Sequence, residues 1–370
     1  MTPSVIKFGG SSFATPERYR ALAADIAVRA RTEPMVVVVS APPGLTEEWR
    51  TRLHAVNEAP SDETIAGLLP RADTVGAYLL RAAFDRIGAA SRVLTGPELG
   101  IRTDSNFCRA RVEEVDTRRI RDTLSRGAIV IVPGGQAVND DLQLTWLGKN
   151  SSDFSAIALA AALGCPKVDI HSDVEGIYSS DPGIIPEARL LPRVSYADAI
   201  TMSVSGAKVL HHGSVAHALA NGLEIHCRRN RDDYPIGTIV GAGAPIDAVV
   251  PDKRSMVLDF ADAAGQIAAD AALARIAVPT VTLGAEETGN RGSTLVVTCG
   301  FFDAVGFLRG EGIHARETGQ KLLTVVERGR PVRSLWADEA LLEAAARFSH
   351  ERLYGAAGRE ASLYDVSAAA

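Results

Sequence analysis

Short β-branched runs alternate with longer stretches rich in alanine and leucine over the first two thirds of the chain. The short runs are apolar at successive positions, which is typical of strands buried on both faces of a parallel sheet. They are Ser4–Phe8, Met35–Ser40, Ala128–Pro133, Val168–His171 and Leu223–Cys227. The longer stretches predict helices over Pro16–Arg29, Thr74–Ile87, Val115–Ser125 and Ser155–Leu163. This alternation predicts an α/β domain with a mainly parallel sheet, whose ligands bind in the loops at the carboxyl ends of the strands.

The rhythm changes after Gly241–Asp252, which we interpret as a linker. The following segments predict the order strand, helix, strand, strand, helix, strand, the split β-α-β arrangement of a small α+β domain. They are Ser255–Phe260, Ala263–Ala277, Thr280–Glu286, Ser293–Cys299, Phe301–Arg309 and Ile313–Thr318. One more strand over Lys321–Glu327 and a helix over Ala337–Tyr354 complete the prediction. We therefore divide the chain into a first domain, residues 1–245, and a second domain, residues 250–370.

Charge and composition exclude several classes of function. The 370 residues contain 39 Lys and Arg against 45 Asp and Glu, a net charge of −6, so no basic field is available for nucleic acid or an anionic membrane. No uncharged apolar run reaches the ~18 residues of a membrane span. The first ten residues lack a basic segment followed by an apolar one, so we do not expect secretion.

The four cysteines, Cys108, Cys165, Cys227 and Cys299, are far apart and form no CxxC pair. This spacing favours neither a zinc site nor a disulfide framework, and it fits a reducing compartment. We therefore expect a cytoplasmic protein.

Two motifs could bind anions. In Lys7–Ser12, directly after the first predicted strand, glycines allow backbone N–H groups to approach an anion and Lys7 supplies a positive charge. An ordinary glycine turn is the alternative interpretation of so short a match. In Gly148–Ser155, small polar residues precede an apolar helix, and Asp153 lies at its positive end. The alternative for Asp153 is a helix N-cap.

Two further motifs combine charged and polar side chains. Ser172–Pro182 follows a buried strand and carries carboxylates, hydroxyls and one aromatic ring, a set that suits a nucleoside, although a polar turn is the alternative. Ser205–His211 places Lys208 in an apolar stretch, where its ammonium group either meets a ligand or reaches out to solvent.

Taken in order, these motifs resemble those of the aspartokinase branch of the amino-acid kinase family over residues 1–245. The matching segments are Lys7–Ser12, Val36–Ala41 with Gly44–Thr46, Gly100–Ala110, Leu147–Ala156, Ser172–Pro182 and Ser205–His211. The resemblance implies a three-layer α/β sandwich with a mainly parallel sheet. It also implies phosphoryl transfer from ATP, with Mg²⁺, to a side-chain carboxylate, which gives an acyl phosphate.

The same resemblance implies roles for individual residues. Lys7, Asp153 and Lys208 are the implied catalytic residues, and Asp153 also helps to hold Mg²⁺. The implied nucleotide site combines a phosphate cradle with an adenosine site: Gly9, Gly10 and Ser11, followed by Ser172, Asp173, Tyr178 and Asp181. The implied acceptor site consists of Ser40, Thr46, Asp73, Lys149 and Ser152.

Departures from the family pattern lie mainly on the acceptor side. Lys149 stands where the family has an arginine that binds the acceptor carboxylate with two prongs, which a lysine cannot do. Asp73 replaces a longer glutamate, and Asn150 and Ser151 replace glycines. Because Lys7, Asp153 and Lys208 are all retained, the leading hypothesis is a working kinase for aspartate or a close analogue. The alternative is a kinase of the same fold for another amino acid or small polar acceptor.

A third hypothesis is a non-catalytic regulatory subunit, since Gly183 replaces an arginine that would face phosphate. The second domain resembles the ACT regulatory module, with one full unit and one partial unit. Its effector turn is replaced by Asp259–Gly265, so the resemblance implies a role in forming a homodimer and no particular effector.

Overall fold

A computed structural model describes residues 2–148, 151–207, 210–230, 233–283, 293–298 and 302–355. The chain forms two compact units. The first consists of Met1–Gly176 and Gly213–Gly241, and the second of Ile177–His212 and Ala242–Ala370. Within the described ranges, no helix combines the length and the apolar character needed to cross a membrane.

The strands of the described chain are, in order, β1 (Ser4–Phe8), β2 (Met35–Val39), β3 (Ser91–Val93), β4 (Ile101–Thr103), β5 (Val112–Val115), β6 (Ile129–Pro133), β7 (Gln136–Val138), β8 (Leu144–Trp146), β9 (Lys167–Ser172), β10 (Arg193–Ser195), β11 (Glu224–Arg229), β12 (Ile236–Gly241), β13 (Ala248–Asp252), β14 (Met256–Phe260), β15 (Thr280–Thr282), β16 (Ser293–Val297), β17 (Arg316–Glu317), β18 (Gln320–Val326) and β19 (Arg333–Asp338).

The α-helices are α1 (Pro16–Arg29), α2 (Leu45–Val56), α3 (Asp62–Leu68), α4 (Arg71–Arg86), α5 (Arg118–Ser125), α6 (Ser152–Leu163), α7 (Tyr196–Val204), α8 (His212–Ala220), α9 (Ala263–Arg275), α10 (Ala304–Gly310) and α11 (Leu342–Tyr354). In the part of the chain that the structure describes, short 3₁₀ turns cover Gly10–Phe13, Gly96–Leu99 and Glu339–Leu341.

The large sheet of the first unit confirms the predicted mainly parallel arrangement. Its strands lie in the order β12-β11-β9-β1-β2-β6-β3. All neighbours in this series pair in parallel except β11 and β12. The central strand β2 is a methionine followed by four valines, and all five residues are buried. Such a run, apolar at every position, belongs inside a sheet that is covered on both faces.

Side chains of β1 alternate between two helical layers, which confirms the three-layer architecture. Ile6 and Phe8 belong to a core cluster that includes residues of α1 and α4. Lys7 points to the opposite face, where it meets α6. Because successive strand residues face opposite sides of a sheet, a polar residue between two apolar ones is directed away from that core. The alternation therefore places the side chain of Lys7 against α6.

Helix α1 has the bounds predicted from sequence because its signals are all local. The Thr15 side chain accepts a hydrogen bond from the N–H of Arg18, and Pro16 occupies the first helical position. Glu17 lies in the first turn and Arg29 in the last, so both charges complement the helix dipole. Each of these features stabilises a helix end.

The second unit contains the predicted split β-α-β arrangement. Its four-stranded antiparallel sheet has the order β15-β16-β14-β17, with α9 and α10 as the two helices. Leu258, Leu273 and Leu308 are fully buried in the core between this sheet and its helices. The additional sheet at the C-terminal end has the order β13-β18-β19.

The structure corrects three sequence predictions. The interpretation of Gly241–Asp252 as a linker was wrong in part, because Ala248–Asp252 forms β13 and pairs antiparallel with β18. Helix α11 begins at Leu342, and the residues before it form β19. Helix α5 begins at Arg118, since Val112–Val115 is a strand.

Residues 177–212 group with the C-terminal part of the chain, a feature that the sequence did not indicate. Ile184 and Ile185 are buried in one cluster with Val249, Leu323 and Leu342. The division into a catalytic domain, residues 1–245, and a regulatory domain, residues 250–370, remains a prediction.

Candidate active site

A buried ion pair joins the first strand to the helix of the second motif. Lys7 Nζ lies 2.7 Å from Asp153 Oδ1. Lys7 is 7% exposed and Asp153 is 9% exposed. Burial of either charge alone is costly, so the contact between the two side chains offsets part of their lost solvation. The pair lies near the carboxyl end of β1 and in the first turn of α6, where ligands of parallel sheets bind.

The loop after β1 carries two backbone N–H groups that its own turn does not use. Ser12 is the first residue of this loop to bond within the turn, through its N–H to Gly9 O at 3.0 Å. The N–H groups of Gly10 and Ser11 precede that bond and are therefore available to an anion. Gly9 differs from expectation, because its N–H donates to His171 O at 3.0 Å.

Packing favours glycine at position 10. A Cβ atom there would lie 2.8 Å from Ala41 O, closer than real Cβ atoms approach a carbonyl oxygen. This contact brings the loop after β1 against the loop after β2. The two loops that were predicted to face phosphate and acceptor are therefore neighbours.

Gly134 permits the close approach of α6 to the sheet, and sequence reasoning missed it. A Cβ atom at Gly134 would lie 2.4 Å from Ser152 Cβ. At the same place, Ser152 Oγ lies 2.8 Å from Ser40 Oγ. The next N–H, that of Gly135, donates to Ser155 Oγ at 2.9 Å. The available signal was a glycine pair directly after a predicted buried strand.

Asp73, which the resemblance predicts to bind the acceptor, is held by the loop after β2. It lies in the first turn of α4, and its Oδ1 accepts a hydrogen bond from Ala41 N–H at 2.9 Å. No described residue hydrogen-bonds its second oxygen. Burial raises the pKa of Asp73 from its ordinary 3.8 to about 8, although the Ala41 N–H and the charge of Lys7 act in the opposite direction. The carboxyl group therefore holds its proton to a higher pH than an ordinary aspartate does.

The raised pKa of Asp73 predicts a pH dependence of stability. Below pH 3.8 the group is protonated in both the folded and the unfolded chain, so folding involves no change in ionisation. As the pH rises from about 4 to about 8, only the unfolded chain loses the proton, and stability falls. An Asp73→Asn variant lacks this titration, so its melting temperature relative to wild type should rise by roughly 7–14 °C between pH 5 and pH 8. Thermal unfolding at both values checks this, and parallel pH profiles would contradict it.

The remaining predicted residues are placed as follows. Thr46 lies in the first turn of α2, after a left-handed Gly44. In the first unit, Ser172 Oγ donates to Val174 O at 3.1 Å, and Asp173 is exposed. In the second unit, Tyr178 is partly buried, and Asp181 Oδ1 accepts the Gly183 N–H at 2.8 Å. This bond gives Asp181 a structural role in its own turn.

Two lysines singled out by the sequence, Lys149 and Lys208, lie outside the described residues. Their assignments to the acceptor and to catalysis therefore remain predictions.

The thiol of Cys227 lies close enough to the ion pair to interact electrostatically with Lys7 and Asp153. Cys227 is buried on β11. Burial raises its pKa to about 12, with Asp153 adding to the shift and Lys7 opposing it. The thiol stays protonated at neutral pH, so it is a poor nucleophile beside the pair.

The side chains near the ion pair fit a metal ion that is held mainly by the phosphates of a bound nucleotide. Among the described residues, no three His, Cys, Asp or Glu side chains gather where they could hold a metal ion. Asp153 contributes a carboxylate at the ion pair. Mg²⁺ is commonly bound through one or two carboxylates together with substrate phosphates. A single protein carboxylate is compatible with Mg²⁺ that arrives with a nucleotide.

Comparison with known proteins agrees with the motif resemblance. The sequence profile described as the amino acid kinase family matches residues 3–229, more than half of the chain. An aspartokinase of Mycolicibacterium smegmatis is 37% identical over 238 residues, which is 64% of this chain and 56% of that protein. An aspartokinase of Corynebacterium efficiens is 34% identical over 277 residues, 71% of this chain and 66% of that protein. The chain thus spans less than two thirds of each of these relatives.

A similar fold occurs in a solved structure. The crystal structure of E. coli aspartokinase III in complex with aspartate and ADP matches 95% of this chain and 100% of that chain, with a TM-score of 0.76 and 19% identity. At this identity the match concerns the fold. It confirms the α/β architecture with a large, mostly parallel sheet and additional sheets at the C-terminal end.

Proposed function

Since the chain belongs to the amino acid kinase family, we propose that it transfers the γ-phosphoryl group of ATP to the side-chain carboxylate of aspartate or a close analogue. A carboxylate oxygen attacks the γ-phosphorus, the bond from that phosphorus to the bridging β,γ-oxygen breaks, and ADP leaves with the electron pair. The products are an acyl phosphate and ADP. The observation that carries the proposal is the buried Lys7–Asp153 pair beside the open N–H groups of Gly10 and Ser11.

Each described group has a task in this reaction. Phosphoryl transfer depends on positioning and on charge stabilisation, since it involves little covalent chemistry with the protein. Lys7 neutralises charge on the moving phosphoryl group, and Asp153 holds its ammonium in place. Gly10 and Ser11 donate N–H groups to phosphate oxygens. Asp153 would help to hold Mg²⁺, which supplies further charge neutralisation when bound with ATP. The acceptor carboxylate is already ionised at neutral pH, so no general base is needed.

The acceptor side is suited to a molecule that carries an ammonium group. Asp73 offers an oxygen that no described residue bonds, and its other oxygen is held by the Ala41 N–H, next in sequence to Ser40, whose hydroxyl meets that of Ser152. An ammonium group bound there would lower the pKa of Asp73 and favour its charged form. Relatives named as aspartokinases, and the aspartate and ADP complex of the structural neighbour, support aspartate as the acceptor. The cytoplasmic location and the homodimer through the C-terminal domain that the sequence implies belong to the same proposal.

Trapping with hydroxylamine tests the reaction. The acyl phosphate formed from aspartate should react to give aspartyl hydroxamate in an amount equal to the ADP released. Succinate, which lacks the amino group, should be used at least about tenfold less efficiently if Asp73 binds the ammonium group. ADP release with no hydroxamate from any acceptor would exclude a carboxyl acceptor.

Lys149 and Asp73 differ from the residues of the family pattern, and this difference favours an acceptor other than aspartate as the alternative function. A panel of amino acids in the same assay separates the two functions. Hydroxamate from another amino acid, and none from aspartate, would establish the alternative. Calorimetric binding of MgATP without turnover of any acceptor would instead support a regulatory subunit.

A further inference from the structure

Gln136 lies buried at the start of β7 and donates two hydrogen bonds to the beginning of α4. Its Nε2 lies 2.8 Å from Pro70 O and 2.6 Å from Thr74 Oγ1. Gln136 is 2% exposed, so its amide has little access to water. A side-chain amide nitrogen carries two N–H donors, and both are satisfied by these contacts.

The two acceptors flank Asp73 in the sequence. Pro70 directly precedes α4, and Thr74 lies in its first turn. The N–H of Asp73 also donates to Pro70 O, at 3.2 Å. Asp73 in turn accepts the Ala41 N–H at 2.9 Å. A continuous chain of hydrogen bonds therefore runs from β7, through the start of α4, to the loop after β2.

Helix α4 lies in close contact with the end of β2 and the loop that follows it. A Cβ atom at Gly76 would lie 2.7 Å from Ser40 O and 3.1 Å from Val39 Cγ1. The helix thus lies directly against the backbone after β2. Close-packed interiors transmit small displacements, so loss of the Gln136 hydrogen bonds would displace the Asp73 carboxylate.

We infer that Gln136 is a positioning residue for acceptor recognition, which holds Asp73 where it meets the ammonium group of the acceptor. The inference rests on the proposed function for the role of Asp73. The ammonium group takes no part in bond making or breaking, so its contact contributes equally to the ground state and the transition state. Loss of such uniform binding raises KM and leaves kcat unchanged. Lys7 and Asp153 lie outside this chain of hydrogen bonds, so KM for ATP should not change.

A Gln136→Met variant keeps the length of the side chain and removes both donors. We expect KM for aspartate to rise about tenfold, with kcat and KM for ATP within about twofold of wild type. Thr74→Val should act in the same direction. The double variant should be no worse than Gln136→Met alone, since both substitutions break the same interaction.

Gln143→Met is the matched control. Gln143 is half-buried, donates from Nε2 to Glu63 Oε1 at 2.9 Å and accepts from Asn139 Nδ2 at 3.0 Å, and none of these groups belongs to α4. Its loss should leave both KM values and kcat unchanged. An equal change in the two glutamine variants would overturn the inference.

A readout without activity separates this inference from the proposed function. Lys7 is the charged group that faces Asp73, and it remains in the variant. Water that reaches a loosened Asp73 should make the pH dependence of thermal stability between pH 5 and pH 8 shallower in Gln136→Met than in wild type. If wild type does not turn over aspartate, the proposed function fails and this comparison still tests Gln136. A KM for aspartate and a pH profile that both match wild type would overturn the inference, as would equal rises in both KM values with a lower melting temperature.

Discussion

Replacing Lys7 by Met should lower kcat by about 100- to 1,000-fold, the usual cost of removing one donor that stabilises transition-state charge. Lys7 supplies the positive charge of the buried ion pair, and its Nζ lies 2.7 Å from Asp153 Oδ1. Methionine fills the same space without the charge. Steady-state release of ADP, with trapping of the acyl phosphate, measures the effect.

Loss of one partner from a buried pair can also unfold a protein, so stability must be separated from catalysis. Lys7→Met leaves Asp153 without its counter-ion, which costs about 3–5 kcal/mol in comparable pairs. The double variant Lys7→Met with Asp153→Asn removes both charges and should regain much of the lost stability. It should remain inactive, since the phosphoryl group still lacks its cation.

Lys167→Met provides the matched control for a lost positive charge. Lys167 is the exposed first residue of β9. Its replacement should leave kcat unchanged. Near-normal turnover by Lys7→Met would contradict the role assigned to Lys7 and, with it, the proposed centre.

Replacing Gly134 by Ala should lower kcat by about 100-fold, because a displacement of about 1 Å at a catalytic group has an effect of that size. The added methyl group would lie 2.4 Å from Ser152 Cβ and 2.8 Å from Ser152 Cα. Helix α6 must move to accept it, and Asp153 lies in the first turn of that helix. Overpacking of this kind also destabilises the fold by about 1–3 kcal/mol.

Gly67→Ala is the control for a glycine replaced by alanine. Gly67 lies in α3, and a Cβ atom there would meet nothing within 4 Å. This variant should be as stable as wild type or more stable, by roughly 0.4–1 kcal/mol, with unchanged kinetics. A Gly134→Ala enzyme with wild-type kcat would show that α6 tolerates the methyl group and that its placement does not limit catalysis.

The central sheet could be predicted because its strands are apolar at consecutive positions. β1, β2, β6 and β9 agree with the predicted runs within one or two residues. The region between β2 and β6 could not be predicted to the same extent. Its strands β3 and β4 have three residues each and β5 has four, and α2 contains no buried residue, so periodicity is weak there.

The candidate site divides in the same way. The resemblance to known motifs indicated Lys7, Asp153 and Asp73 as parts of one site. It did not indicate Gly134 or Gln136, because each acts through a contact with a residue distant in sequence. Gly9 was assigned to phosphate, yet its N–H is used by His171 O. A motif shows which residue types are present, and it does not show which donors the fold has already engaged.

The amino-acid sequence by itself determined the buried strands and the lysine directed out of β1, because consecutive valines are stable only inside a sheet and alternate residues must face opposite sides. Tertiary structure decided that Ser40 meets Ser152 and that Gln136 holds the start of α4. These partners are brought together by packing of the sheet against its helices. Close packing is a property of the folded chain as a whole, so no local pattern of residues contains it.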